Sequence, residues 1–125
     1  MASLILCVED NSHNLRLVRK MLEGAGYAVV EALNGASGIA AAERHQPDLI
    51  LLDINLPDMD GVEVCSRIRT ITSVSWVPII ALTANAMHGD REMYLSQGMD
   101  GYLPKPVTKT ELINTLRMFL GTGNE

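Results

Sequence analysis

The chain has 125 residues, of which 47% are hydrophobic, and it carries a net charge of −5. Its length suits a single domain over residues 1–125, with a core at about residues 3–120. The hydrophobic content excludes a disordered chain, the acidic balance argues against a nucleic-acid-binding surface, and the lack of an apolar run of about 20 residues excludes a membrane-spanning helix.

The first element is a short apolar strand, residues 4–8, which ends in Glu9–Asp10. A run of this kind, followed at once by acidic residues, is typical of a buried strand whose chain then emerges into solvent. Asn11 or Ser12 can cap the helix that follows, because both side chains accept hydrogen bonds from backbone N–H groups of a first helical turn.

The rest of the chain repeats this alternation of buried strand and helix. Asn34–Gly35 is predicted as a turn, and Thr108 with Glu111 as a capping box for the last helix. The remaining predicted strands are residues 27–31, 49–52, 78–82 and 101–103, and the remaining predicted helices are residues 36–44, a segment after 61, 86–97 and 109–120. Five such units predict an α/β fold, a doubly wound five-stranded parallel sheet with helices on both faces.

Asp53 directly follows the third predicted strand. The run Leu49–Leu52 is continuous, which is typical of a strand buried on both faces of a parallel sheet. Such a strand offers no polar face for a carboxylate, so Asp53 is expected at its carboxyl end, where open α/β sheets bind ligands. Taken alone, a simple turn-capping role for Asp53 is about equally favoured.

Polar groups follow the carboxyl ends of four predicted strands. These are Glu9 and Asp10, then Asp53, then Thr83, and finally Lys105. In a doubly wound sheet all of these points lie along one edge. Three neighbouring carboxylates repel one another unless a cation compensates, and all-oxygen ligands suit Mg²⁺. A carboxylate beside Mg²⁺ and a lysine is equipped to attack phosphorus.

The chain resembles a response-regulator receiver domain over essentially its whole length. The motifs that carry the resemblance are, in chain order, Val8–Glu9–Asp10–Asn11, Asp53, Pro57, Asp60–Gly61, Thr83–Ala84 and Lys105–Pro106. The resemblance implies a flavodoxin-like sheet with strand order 2-1-3-4-5. One departure is the glutamate at position 9, where many members of the family carry aspartate.

The resemblance also implies a role for each site residue. Asp53 would be the phosphoacceptor, and Thr83 and Lys105 would bind the phosphoryl oxygens. The implied metal is Mg²⁺, or Mn²⁺ in its place. Its site would comprise Asp10 as a direct ligand, Glu9 through a bound water, the Asp53 carboxylate and the backbone carbonyl of Asn55.

A switch is expected around Thr83, Ala84 and Tyr102. In receiver domains that this chain resembles, a threonine drawn toward the phosphoryl group vacates space that an aromatic ring on the neighbouring strand fills. The predicted helix at residues 86–97 has the weakest apolar stripe in the chain, so its displacement is expected to cost little free energy. The family resemblance further predicts a cis peptide bond at Lys105–Pro106, although few X–Pro bonds are cis.

The expected function is a signalling module in a two-component system or phosphorelay, not an enzyme. It would take a phosphoryl group from a histidine kinase or histidine phosphotransfer protein, and lose it again autocatalytically. A downstream protein would bind the surface formed by helix 86–97, strand 101–103 and helix 109–120. Because the N-terminus lacks the basic region of a signal peptide, a cytoplasmic location is expected, with no nucleic-acid or membrane partner.

Two other functions are weaker alternatives. A phosphatase of the haloacid dehalogenase type also forms an aspartyl phosphate, but that family has a second aspartate two residues after the nucleophile, where this chain has Asn55. A flavodoxin-like cofactor carrier needs a turn that accepts a phosphate after the first strand. Residues 9–14 contain no glycine and carry acids, which would repel that phosphate unless a metal intervened.

Three further side chains are expected to be structural. Cys7 lies in a predicted strand and Cys65 in a predicted helix, so we expect small buried hydrophobic residues and not a disulfide. Trp76 falls in the connection before the fourth strand, and we expect it to pack on the domain as a loop anchor.

Overall fold

The computed structural model describes residues 2–84 and 90–121. The strands are β1 (Leu4–Val8), β2 (Ala28–Ala32), β3 (Leu49–Asp53), β4 (Ile79–Thr83) and β5 (Gly101–Pro104). The helices are α1 (Ser12–Gly24), α2 (Gly35–His45), α3 (Gly61–Arg69), α4 (Asp90–Ser96) and α5 (Lys109–Leu120), with a short 3-10 turn at Thr72–Val74. The first part of the predicted helix 86–97 lies outside the described residues.

The five strands form one parallel sheet in the order β2-β1-β3-β4-β5. This order confirms the predicted topology. The register pairs Val8 with Leu52, Asp53 with Leu82, and Thr83 with Pro104. The carboxyl ends of the four strands that carry the predicted site residues are therefore level with one another, at one edge of the sheet.

Alternate residues of each strand supply two separate cores. Along β3, Ile50 and Leu52 belong to an apolar cluster that includes residues of α2, α3 and α4, whereas Leu49 and Leu51 belong to a second cluster with α1 and α5. All four side chains are fully buried. This period of two along a strand covered on both faces confirms the predicted doubly wound arrangement.

Side-chain caps fix the starts of the helices. Asn11 caps α1, with its Oδ1 accepting a hydrogen bond of 3.0 Å from the Asn14 N–H. The predicted turn at Asn34–Gly35 is instead the beginning of α2, because Asn34 is the N-cap in a capping box with Ser37. Thr108 caps α5 as predicted.

Trp76 is 65% exposed, so the prediction of a packed loop anchor is wrong. Val74 at the end of the 3-10 turn and Val77 after it are both fully buried in the core, which leaves the two positions between them, Ser75 and Trp76, directed outward. The indole Nε1 donates 3.2 Å to the Ser73 carbonyl oxygen within the same connection.

Cys7 and Cys65 are buried and carry free thiols, as expected. Burial raises the pKa of both thiols, so they stay protonated and pack as small apolar groups. Across residues 2–84 and 90–121, no helix has the length and apolar character needed to cross a membrane.

Candidate functional site

Two buried carboxylates lie at the carboxyl edge of the sheet. Asp53 is the last residue of β3 and Glu9 follows β1 directly, and each is 2% exposed. The Glu9 carboxylate accepts a hydrogen bond of 3.3 Å from the Asn11 N–H and a longer contact of 3.5 Å from the Asn14 amide. Since Val8 and Leu52 are register partners, the ladder between β1 and β3 places these two acids side by side.

Lys105 supplies the positive charge between them. Its Nζ lies 3.0 Å from Glu9 Oε1 and 3.0 Å from Asp53 Oδ2. The backbone N–H of Lys105 donates 2.8 Å to the Thr83 carbonyl, which ties the loop after β5 to the end of β4. The Lys105–Pro106 bond is cis, as predicted.

The charges shift the pKa values of both partners. Burial alone lowers the pKa of the Lys105 ammonium, but its hydrogen bonds to Asp53 and Glu9 outweigh that effect and hold the pKa above its ordinary value. Burial raises the pKa of the Glu9 carboxyl, and the adjacent Asp53 carboxylate raises it further, while Lys105 opposes both effects. The two acids therefore keep Lys105 in its charged form, and together with Asp10 they can carry more negative charge than one lysine balances.

The donor set fits a hard divalent cation. Glu9, Asp10 and Asp53 each offer a carboxylate oxygen, and these oxygens all lie within 4.8 Å of one another. Asp10 is exposed, so the cluster opens to solvent on one side. With all three acids ionised, Lys105 leaves two negative charges uncompensated, which matches the charge of Mg²⁺.

Asn55 lies beside this cluster in the loop after β3. Its backbone N–H donates 3.0 Å to Asp53 Oδ1. Asp10 and Asn55 both line an open groove of about 370 Å³. Every predicted metal-site residue is therefore in the same corner of the molecule.

The loop between β3 and α3 is held from both sides. Asp58 reaches across to α2, where its carboxylate accepts hydrogen bonds of 2.7 Å from the Gly35 N–H and 2.9 Å from the Ala36 N–H. These two bonds lower the pKa of Asp58. At the other end, a Cβ on Gly61 would lie 2.8 Å from the Asp53 carbonyl oxygen, so only glycine fits there.

Asp58 was missed in the sequence. Its partners lie in α2, more than 20 residues earlier in the chain. An acid that caps its own helix has a recognisable spacing, whereas one that caps a distant helix has none.

Thr83 ends β4 and is 2% exposed, and Ala84, which follows the strand, is exposed. The side chain that meets the Thr83 hydroxyl is Tyr94 of α4, whose phenol donates to Thr83 Oγ1 over 3.2 Å. Tyr102 pairs with Ala81 on β4, and its ring centre lies 6.3 Å from that of Tyr94. Sequence reasoning named Tyr102 and missed Tyr94.

Comparisons with known proteins agree with one another. The family model described as "Response regulator receiver domain" matches residues 5–117. A polar-differentiation response regulator, DivK, from Brucella anthropi is 37% identical over 121 residues, which is 97% of this chain and 98% of that protein.

Two solved structures extend the agreement to the fold. The receiver domain of the sensor histidine kinase PA1611 from Pseudomonas aeruginosa, crystallised with a magnesium ion coordinated in its active site cleft, has a TM-score of 0.88 and 42% identity, over 98% of this chain and all of that one. The chemotaxis protein CheY4 of Vibrio cholerae has a TM-score of 0.90 and 29% identity, over 96% of this chain and all of that one.

Proposed function

The chain belongs to the response regulator receiver domain family, and we propose that it accepts a phosphoryl group on Asp53 within a two-component system or phosphorelay. The observation that carries the proposal is the double contact of Lys105, 3.0 Å from both Asp53 and Glu9 at the carboxyl edge of the sheet. This contact fixes the Oδ2 atom of the acceptor carboxylate. It also places a positive charge beside the carboxylate, where it can interact with the oxygens of a phosphoryl group.

The chemistry at Asp53 is nucleophilic. A carboxylate oxygen forms a bond to phosphorus while the bond from phosphorus to the donor breaks, and the electron pair of that bond leaves with the donor. Lys105 and Thr83 donate hydrogen bonds to phosphoryl oxygens as charge moves onto them. Attack of water on the same phosphorus later returns Asp53 to its carboxylate.

A divalent cation belongs in the same site. Glu9, Asp10, Asp53 and the backbone carbonyl of Asn55 would hold Mg²⁺ or Mn²⁺, and the bound ion would neutralise negative charge on the phosphoryl oxygens. The three carboxylate oxygens within 4.8 Å and the magnesium ion in the cleft of the PA1611 receiver support this assignment.

The proposed partners follow from family membership. The donor is a histidine kinase or a histidine phosphotransfer protein, and the output partner is a protein that binds the surface of α4, β5 and α5. Three large apolar side chains on that surface are 40% exposed or more, and they are Met93, Leu95 and Met118. A protein partner that covers these side chains would remove their apolar surface from water.

Mass spectrometry tests the central proposal. The chain is incubated with acetyl phosphate and Mg²⁺, and the intact mass is expected to increase by one phosphoryl group, whereas without a divalent cation it is not. Asp53→Asn should abolish the increase. Asp48→Asn is the matched control. Asp48 precedes β3 at the end opposite to Asp53, and its carboxylate accepts a hydrogen bond from the Leu4 N–H there. Undiminished labelling of Asp53→Asn would overturn the assignment.

A further inference from the structure

The hydroxyl of Tyr94 lies against the hydroxyl of Thr83 in the interior of the protein. The phenol donates a hydrogen bond of 3.2 Å to Thr83 Oγ1, and the two residues are 4% and 2% exposed. Tyr94 comes from α4 and belongs to the same apolar cluster as Ala81 and Met99. The contact therefore joins a helix on one face of the sheet to a residue at the phosphoryl-accepting edge.

The direction of this hydrogen bond constrains the Thr83 hydroxyl. A hydroxyl has one hydrogen to donate and two lone pairs that accept. Tyr94 occupies a lone pair of Oγ1, so the hydrogen of Thr83 must point elsewhere. A hydroxyl that accepts a hydrogen bond is also polarised into a stronger donor, more so in a buried site.

We propose that Tyr94 is a positioning residue for phosphoryl transfer, which holds the Thr83 hydroxyl so that its hydrogen is directed to a phosphoryl oxygen on Asp53. This inference rests on the proposed function. The bond from phosphorus to Asp53 forms while the bond from phosphorus to the donor breaks, with acetate leaving when acetyl phosphate is the donor. Tyr94 takes no part in those bonds and acts through Thr83.

The turn that follows the helix carrying Tyr94 is tied to the rest of the domain by hydrogen bonds and an ion pair. The Arg69 guanidinium donates to the Gly98 carbonyl and forms an ion pair of 2.8 Å with Asp100. The Asp100 carboxylate in turn accepts from the Ile79 N–H at the start of β4. These bonds tie the end of α4 to the strand that ends in Thr83, so helix and strand form one support for the hydroxyl pair.

Tyr102 has a different relation to the site. Its ring is tilted by 47° against that of Tyr94, and its register partner on β4 is Ala81. In this structure the hydroxyl of Tyr94 is hydrogen-bonded to the threonine, whereas Tyr102 lies against the ring of Tyr94.

The test is a double-mutant cycle on the rate of phosphorylation by acetyl phosphate with Mg²⁺. Tyr94→Phe keeps the ring and removes one hydroxyl, and we expect it to slow the reaction about 3- to 10-fold, the size typical of one neutral hydrogen bond. In a Thr83→Ala background the same change should have no further effect, because Tyr94 acts through the Thr83 hydroxyl. In a Thr83→Ser background, which restores the hydroxyl, the slowing should reappear.

Tyr27→Phe is the matched control, since Tyr27 is 6% exposed and immediately precedes β2, away from the carboxyl edge of the sheet. We expect it to phosphorylate at the wild-type rate, and circular dichroism at the assay temperature should show every variant folded.

Different outcomes of this experiment contradict different proposals. A Tyr94→Phe rate equal to or above that of the wild type, or an equal slowing in the Thr83→Ala background, would overturn the positioning role alone. A wild-type chain that accepts no phosphoryl group would overturn the proposed function and this inference with it.

Discussion

Replacing Lys105 by methionine removes the cation that lies 3.0 Å from Glu9 and 3.0 Å from Asp53. Methionine keeps most of the length and apolar surface of the lysine stem, so the change is chiefly one of charge. The two carboxylates are almost fully buried, whereas the Lys105 side chain is 21% exposed. The variant therefore leaves two adjacent buried acids without their ammonium partner.

The size of the loss follows from two opposing terms. At an effective dielectric constant of about 20, each contact of 3.0 Å attracts by about 5.5 kcal/mol. Returning the ammonium to water recovers much of this, and removing one partner of a buried ion pair costs about 3–5 kcal/mol in practice. Because Lys105 is partly exposed, we expect the lower end, about 3 kcal/mol, which is a drop in Tm of roughly 10–15 °C for a chain of this length.

The loss should also depend on pH. Burial and Asp53 raise the pKa of Glu9, so the folded protein binds a proton there more tightly than the unfolded chain does. A group of this kind stabilises the folded state as the pH falls through its folded pKa. In the variant that proton can replace the missing ammonium, so the loss measured at about pH 7.5 should shrink as the pH is lowered.

Thermal unfolding followed by circular dichroism in EDTA measures this difference. Lys109→Met is the control, because it makes the same change in net charge at an exposed position that begins α5. Added Mg²⁺ should raise the Tm of Lys105→Met more than that of the wild type, since the variant site carries one more negative charge. A Lys105→Met variant as stable as Lys109→Met in EDTA at about pH 7.5 would refute the charge-compensation argument.

Three further predictions concern the loop after β3 and the exposed indole. Asp58→Asn should lower the stability to urea at neutral pH, because the pKa of Asp58 is lowered in the folded state; its deficit should begin to shrink as the pH falls below about 3.9 and vanish once the pH passes the lowered folded pKa. Glu43→Gln, which makes the same change in charge at an exposed position of α2, is the control. Gly61→Ala should cost about 1–3 kcal/mol in urea unfolding, since its Cβ would meet the Asp53 backbone, and a stabilised variant would contradict this. Trp76→Phe should change stability by less than about 0.5 kcal/mol, and the indole should fluoresce as in water; a blue-shifted emission would contradict its exposure.

The backbone of the site was predictable because it depends on where strands end. Apolar runs identified the five strands, and two of these runs stopped next to the residues that the structure places on the carboxyl edge, Asp53 and Thr83. The strands β2 and β5 each extend one residue beyond the predicted end, to Ala32 and Pro104. Parallel pairing then brings those ends together whatever the side chains between them. The order of the strands came from family resemblance, since apolar periodicity alone does not rank the pairings.

Contacts that depend on how a helix is rotated were not predictable in the same way. The predicted helix 86–97 has a weak apolar stripe, so the sequence did not indicate which side of it faces the sheet. Tyr94 is buried, while its neighbours Met93 and Leu95 are 45% and 40% exposed. This rotation of the helix about its own axis is visible only in the structure. The error at Trp76 is different, because the spacing of Val74 and Val77 already favoured an outward position for the two residues between them.

Lys105 and Thr83 act at the Asp53 site in different ways, and they come from different elements of the fold. Lys105 follows β5 and acts on the carboxylate by charge, whereas Thr83 ends β4 and receives a hydrogen bond from α4. The ammonium compensates buried acids at all times, so its loss should appear in the free energy of unfolding. The Tyr94 hydroxyl matters when Thr83 meets a phosphoryl oxygen, so its loss should appear mainly in the rate. Because Lys105 also binds the phosphoryl oxygens in the proposed function, stability and rate must be measured on the same variants to separate the two contributions.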